Sequence, residues 1–175
     1  MSKIELFSKK ISRLFQIFFL SSPIFTIIFW LYPEQMLSFG IIPFPIPQEE
    51  ITFNGLSKLL GFGISLLPTL IVMTLFYMLA KLFKNYQNGE VFSQNNISYY
   101  KKLGKYLFLL ACVNFLCTGL MSLALTCQNP SGHRTLCLSF GMAQIFPILI
   151  GLVIIGISHV MNEAFRLEEE QKYTI

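Results

Sequence analysis

The chain has 175 residues, of which 54% are hydrophobic, 13% are charged and 18 are phenylalanine. A soluble domain carries about 25% charged residues, so this chain has too little polar surface to cover itself in water. The composition therefore argues strongly against a soluble enzyme or a soluble nucleic-acid-binding domain.

The charged residues are clustered, and four windows contain no Lys, Arg, Asp or Glu: residues 14–33, 59–80, 106–133 and 135–162. A helix needs about 20 mostly apolar residues to cross about 30 Å of hydrocarbon, and each window is long enough. Because backbone groups in lipid must be bonded internally, helices are favoured over open strands. The sequence predicts an all-α, four-transmembrane-helix bundle over 1–175, with spans near 14–32, 59–80, 106–126 and 138–160.

The first window has a basic flank, which is also typical of a signal peptide. Its apolar stretch is longer than a signal-peptide core of about 7–15 residues, and no small-residue cleavage site follows it. Trp30 and Tyr32 at its end suit an interfacial aromatic anchor. A retained membrane anchor is the better interpretation.

Lys and Arg are distributed asymmetrically around the four spans. The N-terminal segment, the 81–105 loop and the C-terminal tail hold 11 of them, while the other two loops hold only Lys58 and Arg134. Positively charged loops stay in the cytoplasm, so both termini are predicted to be cytoplasmic. The net charge of +4 is then a topological signal, and direct nucleic-acid binding is not expected.

The two longer loops differ in character. The outer loop at 33–58 carries Pro43, Pro45 and Pro47, and these alternating prolines favour a stiff, extended path. In the inner loop, the second helix should end at Asn88-Gly89, and Ser93 or Asn95 should cap a new helix. Apolar residues on one face of that helix, with lysines beside them, predict an amphipathic elbow at the inner membrane surface.

The fourth helix should continue into the cytoplasm as a tail at 163–175. The acidic run 168–170 is opposite in charge to the inner-loop lysines, so the tail is expected to fold back under the bundle. Phe165, Leu167, Tyr173 and Ile175 would then pack on the inner loop. A frayed, solvated tail is the alternative.

No motif in the chain points to catalysis, to a cofactor or to ion-coupled transport. Ion-coupled carriers generally have an ionisable residue at mid-membrane depth. The predicted spans carry none there. Cys127 and Cys137 bracket a short outer turn, which favours a disulfide in an oxidising compartment. Free thiols are the next interpretation, and a Cys/His metal site is weakly supported because the spacing matches no zinc pattern.

Two segments resemble a known family. Residues 86–93 read Tyr-Gln-Asn-Gly-Glu-Val-Phe-Ser, with Asn96 and Gly104 behind them. They resemble the inner-loop signature of the YoaS-like group of bacterial four-span membrane proteins, a domain of unknown function. The C-terminal residues 166–170 and 173–175 are similar to that family's closing pattern. The resemblance covers the chain from about residue 59 to its end. It implies a bacterial cytoplasmic membrane location and a membrane partner in a regulatory or stress-response pair, and it implies no activity.

The matched residues predict a docking surface where the inner loop meets the tail: Tyr86, Gly89, Phe92, Ser93, Asn96, Gly104, Arg166, Leu167, Glu170, Thr174 and Ile175. We expect a non-enzymatic regulatory or accessory subunit that lies in the lipid bilayer. It would bind a membrane or cytoplasmic protein, or a second copy of the chain. The alternative is a small oligomeric transporter, channel or export-associated subunit. That alternative requires a polar path through Ser65, Asn114, Ser122 and Gln144.

The charge asymmetry gives a direct test of orientation. Reporter fusions after Lys105 and at the C-terminus should read cytoplasmic, and fusions near Gln48 and Gly132 should read external. A periplasmic C-terminus together with a cytoplasmic N-terminus would contradict an even number of spans.

Overall fold

The computed structural model describes residues 3–38, 46, 51, 53–91, 93–130 and 132–173, and the regular structure in these ranges is helical. The helices are α1 (Lys3–Leu31), α2 (Pro33–Ser38), α3 (Gly55–Gln87), α4 (Gln94–Thr126) and α5 (Met142–Tyr173). All except the six-residue α2 are long and apolar enough to cross a membrane. The predicted all-α fold with four spanning helices is confirmed.

The four long helices pack in the order α1, α3, α4, α5, and each is antiparallel to the next. Two hydrogen bonds show the α1–α3 register: Ser12 Oγ donates to Ala80 O at 3.0 Å, and Trp30 Nε1 donates to Ser65 Oγ at 3.0 Å. Within the described residues, α1 and α5 do not pack extensively against each other, as the neighbouring pairs in this order do. The bundle is therefore open along one side.

The antiparallel order places the start of α1, the α3–α4 turn and the end of α5 at one end of the bundle. We call this the basic end, because 11 of the 13 Lys and Arg residues lie towards it. Both termini are thus on one side of the four spans. That this side is the cytoplasm remains a prediction for the fusion experiment.

Aromatic side chains dominate the α1–α3 interface. Phe15 stacks on Phe76 and Phe83, with ring centroids 6.1 Å and 5.7 Å apart. At the other end of the interface, the Trp30 indole fills the space above Gly61, where a Cβ atom would collide with the ring. Trp30 is only 6% exposed, so it packs between helices and is not the interfacial anchor that the sequence suggested.

A close glycine crossing joins α4 to α5. A Cβ atom at Gly104 would collide with Ile155 and lie 3.1 Å from Gly151 O, and a Cβ at Gly151 would lie 3.2 Å from Gly104 O. Small residues at both positions let the two backbones approach, as is common between membrane helices. The outward faces carry exposed Leu, Ile and Phe side chains, which suits contact with lipid tails.

Two boundaries differ from the sequence-based expectation. The predicted elbow is not a separate helix, because α4 runs without a break from Gln94 to Thr126. The fourth spanning helix begins at Met142 rather than at 138, and residues 133–141 are not helical. The alternating prolines Pro43, Pro45 and Pro47 lie outside the described residues.

The glycine crossing predicts the effect of a single methyl group. Gly104→Ala should lower the free energy of unfolding by about 1–3 kcal/mol, because the added carbon overpacks the contact with Ile155 and Gly151. Denaturant titration of the purified protein in detergent micelles measures this change. Gly156→Ala is the matched control, since a Cβ there meets nothing within 4 Å. The control should be neutral or slightly stabilising, and equal losses in both variants would contradict the crossing.

Candidate functional site

The α3–α4 turn at the basic end is held by local contacts that the sequence partly predicted. Helix α3 ends at Gln87, and Gly89 has a φ of +81°, which favours glycine. Ser93 is the N-cap of α4, and its Oγ accepts a hydrogen bond from the Asn96 backbone N–H at 3.3 Å. The predicted helix end and cap are therefore confirmed.

Asn96 is fully buried and holds the turn together through its side chain. Its Nδ2 donates to Glu90 O at 2.5 Å and to Val91 O at 3.1 Å. Its Oδ1 accepts from Asn85 Nδ2 at 2.7 Å. A second bridge, between the Tyr86 and Tyr100 hydroxyls at 2.6 Å, ties α3 to α4 beside it. The two bonds from Asn96 Nδ2 satisfy carbonyl oxygens of the turn that would otherwise lack a partner, and the side-chain bridges join the end of α3 to the first turns of α4.

The predicted docking residues on this turn have structural roles. Gly89 allows the backbone conformation, Ser93 caps α4, Asn96 holds the turn and Gly104 makes the crossing with α5. Asn96 and Gly104 are buried, so neither is available to a partner. Phe92 lies outside the described residues. Gly89, Ser93, Asn96 and Gly104 thus hold the fold, and the docking role predicted for the matched residues stays a prediction.

The end of α5 projects beyond the turn. Asn114 Nδ2 donates to Ala143 O at 3.4 Å, and Gly104 faces Gly151, so the antiparallel register places the start of α4 opposite residues near 162. The last ten or so residues of α5 therefore extend about 15 Å past that level.

Up to Tyr173, where the described residues end, the predicted fold-back of the tail is not formed, because α5 is one continuous helix and Leu167 is 51% exposed. Arg166 forms ion pairs within α5, with Glu163 at 3.2 Å and Glu170 at 3.3 Å. Arg166, Leu167 and Glu170 are exposed on the part of α5 that extends past the start of α4. Thr174 and Ile175 lie outside the described residues.

Cys127 and Cys137 are free thiols, so the structure does not contain the predicted disulfide. Cys127 Sγ donates to Ala124 O at 3.3 Å within the last turn of α4, and Cys137 packs against an apolar cluster that includes Leu125. The two side chains are therefore held by different neighbours. Within the described ranges no three His, Cys, Asp or Glu side chains gather as a metal site.

Polar side chains hold the non-helical segment that precedes α5, a feature that sequence reasoning missed. Thr135 N donates to Thr126 Oγ1 at 3.2 Å, and Cys137 N donates to Ser122 Oγ at 2.9 Å. Gln144 Oε1 accepts from Gly141 N at 3.0 Å, where α5 begins. The segment lies along the last turns of α4 with Leu136, Leu138 and Phe140 exposed to the outside.

A groove opens on one face of the bundle between α1, α3 and α4, with a volume of about 480 Å³. Its walls and floor are apolar side chains interrupted by five polar ones from three helices: Ser21, Ser22, Thr26, Thr69 and Asn114. Thr26 and Thr69 share a hydrogen bond of 3.0 Å between their hydroxyl oxygens across the floor. These residues lie near the middle of their spans, so the groove is at mid-membrane depth.

The four residues proposed for a polar path do not line one passage. Ser65 accepts the Trp30 indole N–H, while Ser122 and Gln144 are buried against the non-helical segment. Asn114 alone among them lines the groove.

The role of Asn96 can be tested at a single position. Asn96→Ala should cost about 1–3 kcal/mol of stability, because Asn85, Glu90 and Val91 lose the hydrogen bonds that they share with this fully buried side chain. Amide exchange at 88–93 should become faster. Asn95→Ala is the control, since Asn95 is the exposed neighbour in the same turn of helix. Unchanged exchange in the Asn96 variant would show that the network does not hold the turn.

Comparison with known families gives one match that covers most of the chain. The family model described as "Protein of unknown function (DUF2975)" matches residues 22–175, which include α2 to α5, the α3–α4 turn and the greater part of the groove. No curated protein and no solved structure matches the chain. The match extends over well more than half of the sequence, and the chain therefore belongs to this family of unknown function.

Proposed function

We propose that this protein is a non-catalytic membrane subunit that acts by binding another membrane protein through the groove between α1, α3 and α4. The observation that carries the proposal is the group of polar side chains in that groove at mid-membrane depth. In hydrocarbon, Ser, Thr and Asn side chains are typically found where helices pack together. Among the described residues, only α1, α3 and α4 line the groove, and no other described helix covers the side that faces away from α3.

The chemistry of the groove suits a transmembrane helix. Small hydroxyl side chains allow a second backbone to approach closely and can share hydrogen bonds with it. Ser22 Oγ and Thr69 Oγ1 each donate to a carbonyl of their own helix, at 3.1 Å and 2.8 Å. Their oxygen lone pairs can still accept hydrogen bonds from a partner. The α1 and α4 walls are separated by α3, which leaves lateral access for one more helix.

The transporter alternative has weaker support. The described residues that line the groove include no titratable side chain that could couple transport to protons or ions. Three of the four residues required for a continuous polar path hold other parts of the fold. An oligomeric assembly built on the groove would nevertheless be compatible with either function.

The resemblance noted from the sequence adds finer elements to this proposal. They are a location in a bacterial inner membrane, termini in the cytoplasm, and a regulatory or stress-response partner. The exposed end of α5, with Arg166 and Leu167, offers a cytoplasmic contact for the same partner. No cofactor is needed for this role.

Photocrosslinking in native membranes tests the groove. Phe25 lines it and is 51% exposed, whereas Phe146 is 57% exposed on α5 outside it. Benzoylphenylalanine at position 25 should give a protein adduct of one defined mass, and the same residue at 146 should give lipid adducts. Lipid adducts alone at position 25 would contradict the proposal. An adduct of twice the chain's mass would identify a second copy and favour the oligomeric alternative.

Two threonines on α3 can be compared in the same experiment, and they differ in that Thr69 Oγ1 also shares a hydrogen bond with Thr26 Oγ1 in the groove. Thr69 and Thr74 each donate to the carbonyl four residues earlier, at 2.8 Å and 2.9 Å, and Thr69 lines the groove. Thr69→Val should lower the adduct yield by about 3-fold to 10-fold, the range expected for one interhelical hydrogen bond. Thr74→Val should leave the yield unchanged. Equal yields in both variants would show that the hydroxyl does not take part in binding.

A further inference from the structure

A second cavity lies on α1 and α3 at the basic end, with a volume of about 370 Å³. Each helix contributes one face to it. Side chains spaced by three and four residues line it: Gln16, Phe19 and Leu20 from α1, and Tyr77, Lys81 and Lys84 from α3. The described lining residues include no carboxylate. Its lining residues do not line the groove and do not form the side-chain hydrogen bonds that hold the α3–α4 turn.

The lysines in this cavity are available to an anion. Neither Lys81 nor Lys84 forms an ion pair within the described residues. The Lys81 ammonium lies over the Tyr77 ring, 5.5 Å from its centroid, which orients it towards the cavity. Arg13 is exposed one turn before Gln16, and the Ser12–Ala80 hydrogen bond places it level with Lys81. Two lysines therefore line the cavity, and Arg13 lies on α1 one turn before its lining residue Gln16.

Polarity changes along the cavity in the direction of the membrane normal. Lys84 is furthest from the membrane centre, Lys81 is one turn deeper, and Tyr77 is a further turn deeper, so the three span about 10 Å along α3. On α1, Phe19 and Leu20 lie deeper than Gln16, and the Phe19 ring lies 6.4 Å from that of Tyr77. The cavity is thus cationic at the membrane surface and apolar where acyl chains begin.

We propose that this cavity binds one anionic phospholipid. Its phosphate would lie between Lys81, Lys84 and Arg13, and one acyl chain would lie against Phe19, Leu20 and Tyr77. Basic pockets between membrane helices are a recurrent way of recognising anionic headgroups. The apolar floor selects a lipid over a free phosphate, because a soluble anion gains nothing from it.

Native mass spectrometry of the full chain in a non-ionic detergent tests the site. Phosphatidylglycerol should remain bound as a single adduct, and phosphatidylcholine should not. Lys81→Gln with Lys84→Gln should weaken phosphatidylglycerol binding about 25-fold, since each basic residue near an anionic surface contributes about five-fold. The charge-preserving pair Lys81→Arg with Lys84→Arg should restore binding to within about two-fold.

The matched control removes two charges from the same end of the bundle. Lys101 and Lys102 are exposed on α4 and do not line the cavity. Lys101→Gln with Lys102→Gln should change binding by no more than about two-fold. Equal weakening by both glutamine pairs would overturn the proposal, because attraction would then be diffuse. Equal binding of phosphatidylcholine, or competition by inorganic phosphate or glycerophosphate at lipid concentrations, would also overturn it.

Discussion

Backbone hydrogen bonding in hydrocarbon is the constraint on which this structure depends. Helices satisfy it within each span, so four charge-free windows become four helices. The residues before α5 are not helical, and there Ser122, Thr126 and Gln144 provide the partners for backbone N–H groups. The presence of several polar residues in the apolar windows is therefore explained, because they accept hydrogen bonds from these backbone groups. The hydroxyls of the groove are different, because they line an open face.

Local signals made the α3–α4 turn at the basic end predictable. Asn88-Gly89 ends α3 and Ser93 caps α4, and each effect arises from that residue's own conformational or hydrogen-bonding preference. The start of α5 was not predictable in this way. Leu136 and Leu138 are as apolar as the helix that follows, and the contacts that hold this segment extended come from α4 across a turn. The open side of the bundle could not be predicted from the sequence either, because helix-facing and lipid-facing surfaces are equally apolar.

The inner-loop residues that carry the sequence resemblance are not the residues that line the groove. The family match covers Gly89, Asn96 and Gly104, and in the structure each of them fixes a turn or a helix crossing. In this chain these roles concern the turn and the helix crossing and are independent of what the protein binds. The groove was missed because its polar residues come from three helices and form no motif along the chain. Their sequence signal was limited to single polar residues near the middle of three predicted spans, as at Thr26, Thr69 and Asn114.

The groove and the lipid cavity lie on opposite faces of the α1–α3 pair. Successive residues of a helix are separated by about 100°, so Phe18 and Ser22 in the groove point away from Gln16 and Leu20 in the cavity. Two ligands could therefore bind at once without contact. Helix α1 is the edge of the bundle and packs extensively only on α3 among the long helices described. A lipid that bridges these two helices at the basic end would hold α1 in place, and α1 is one wall of the groove. Lipid binding would in this way stabilise the groove that we propose as the partner-binding surface.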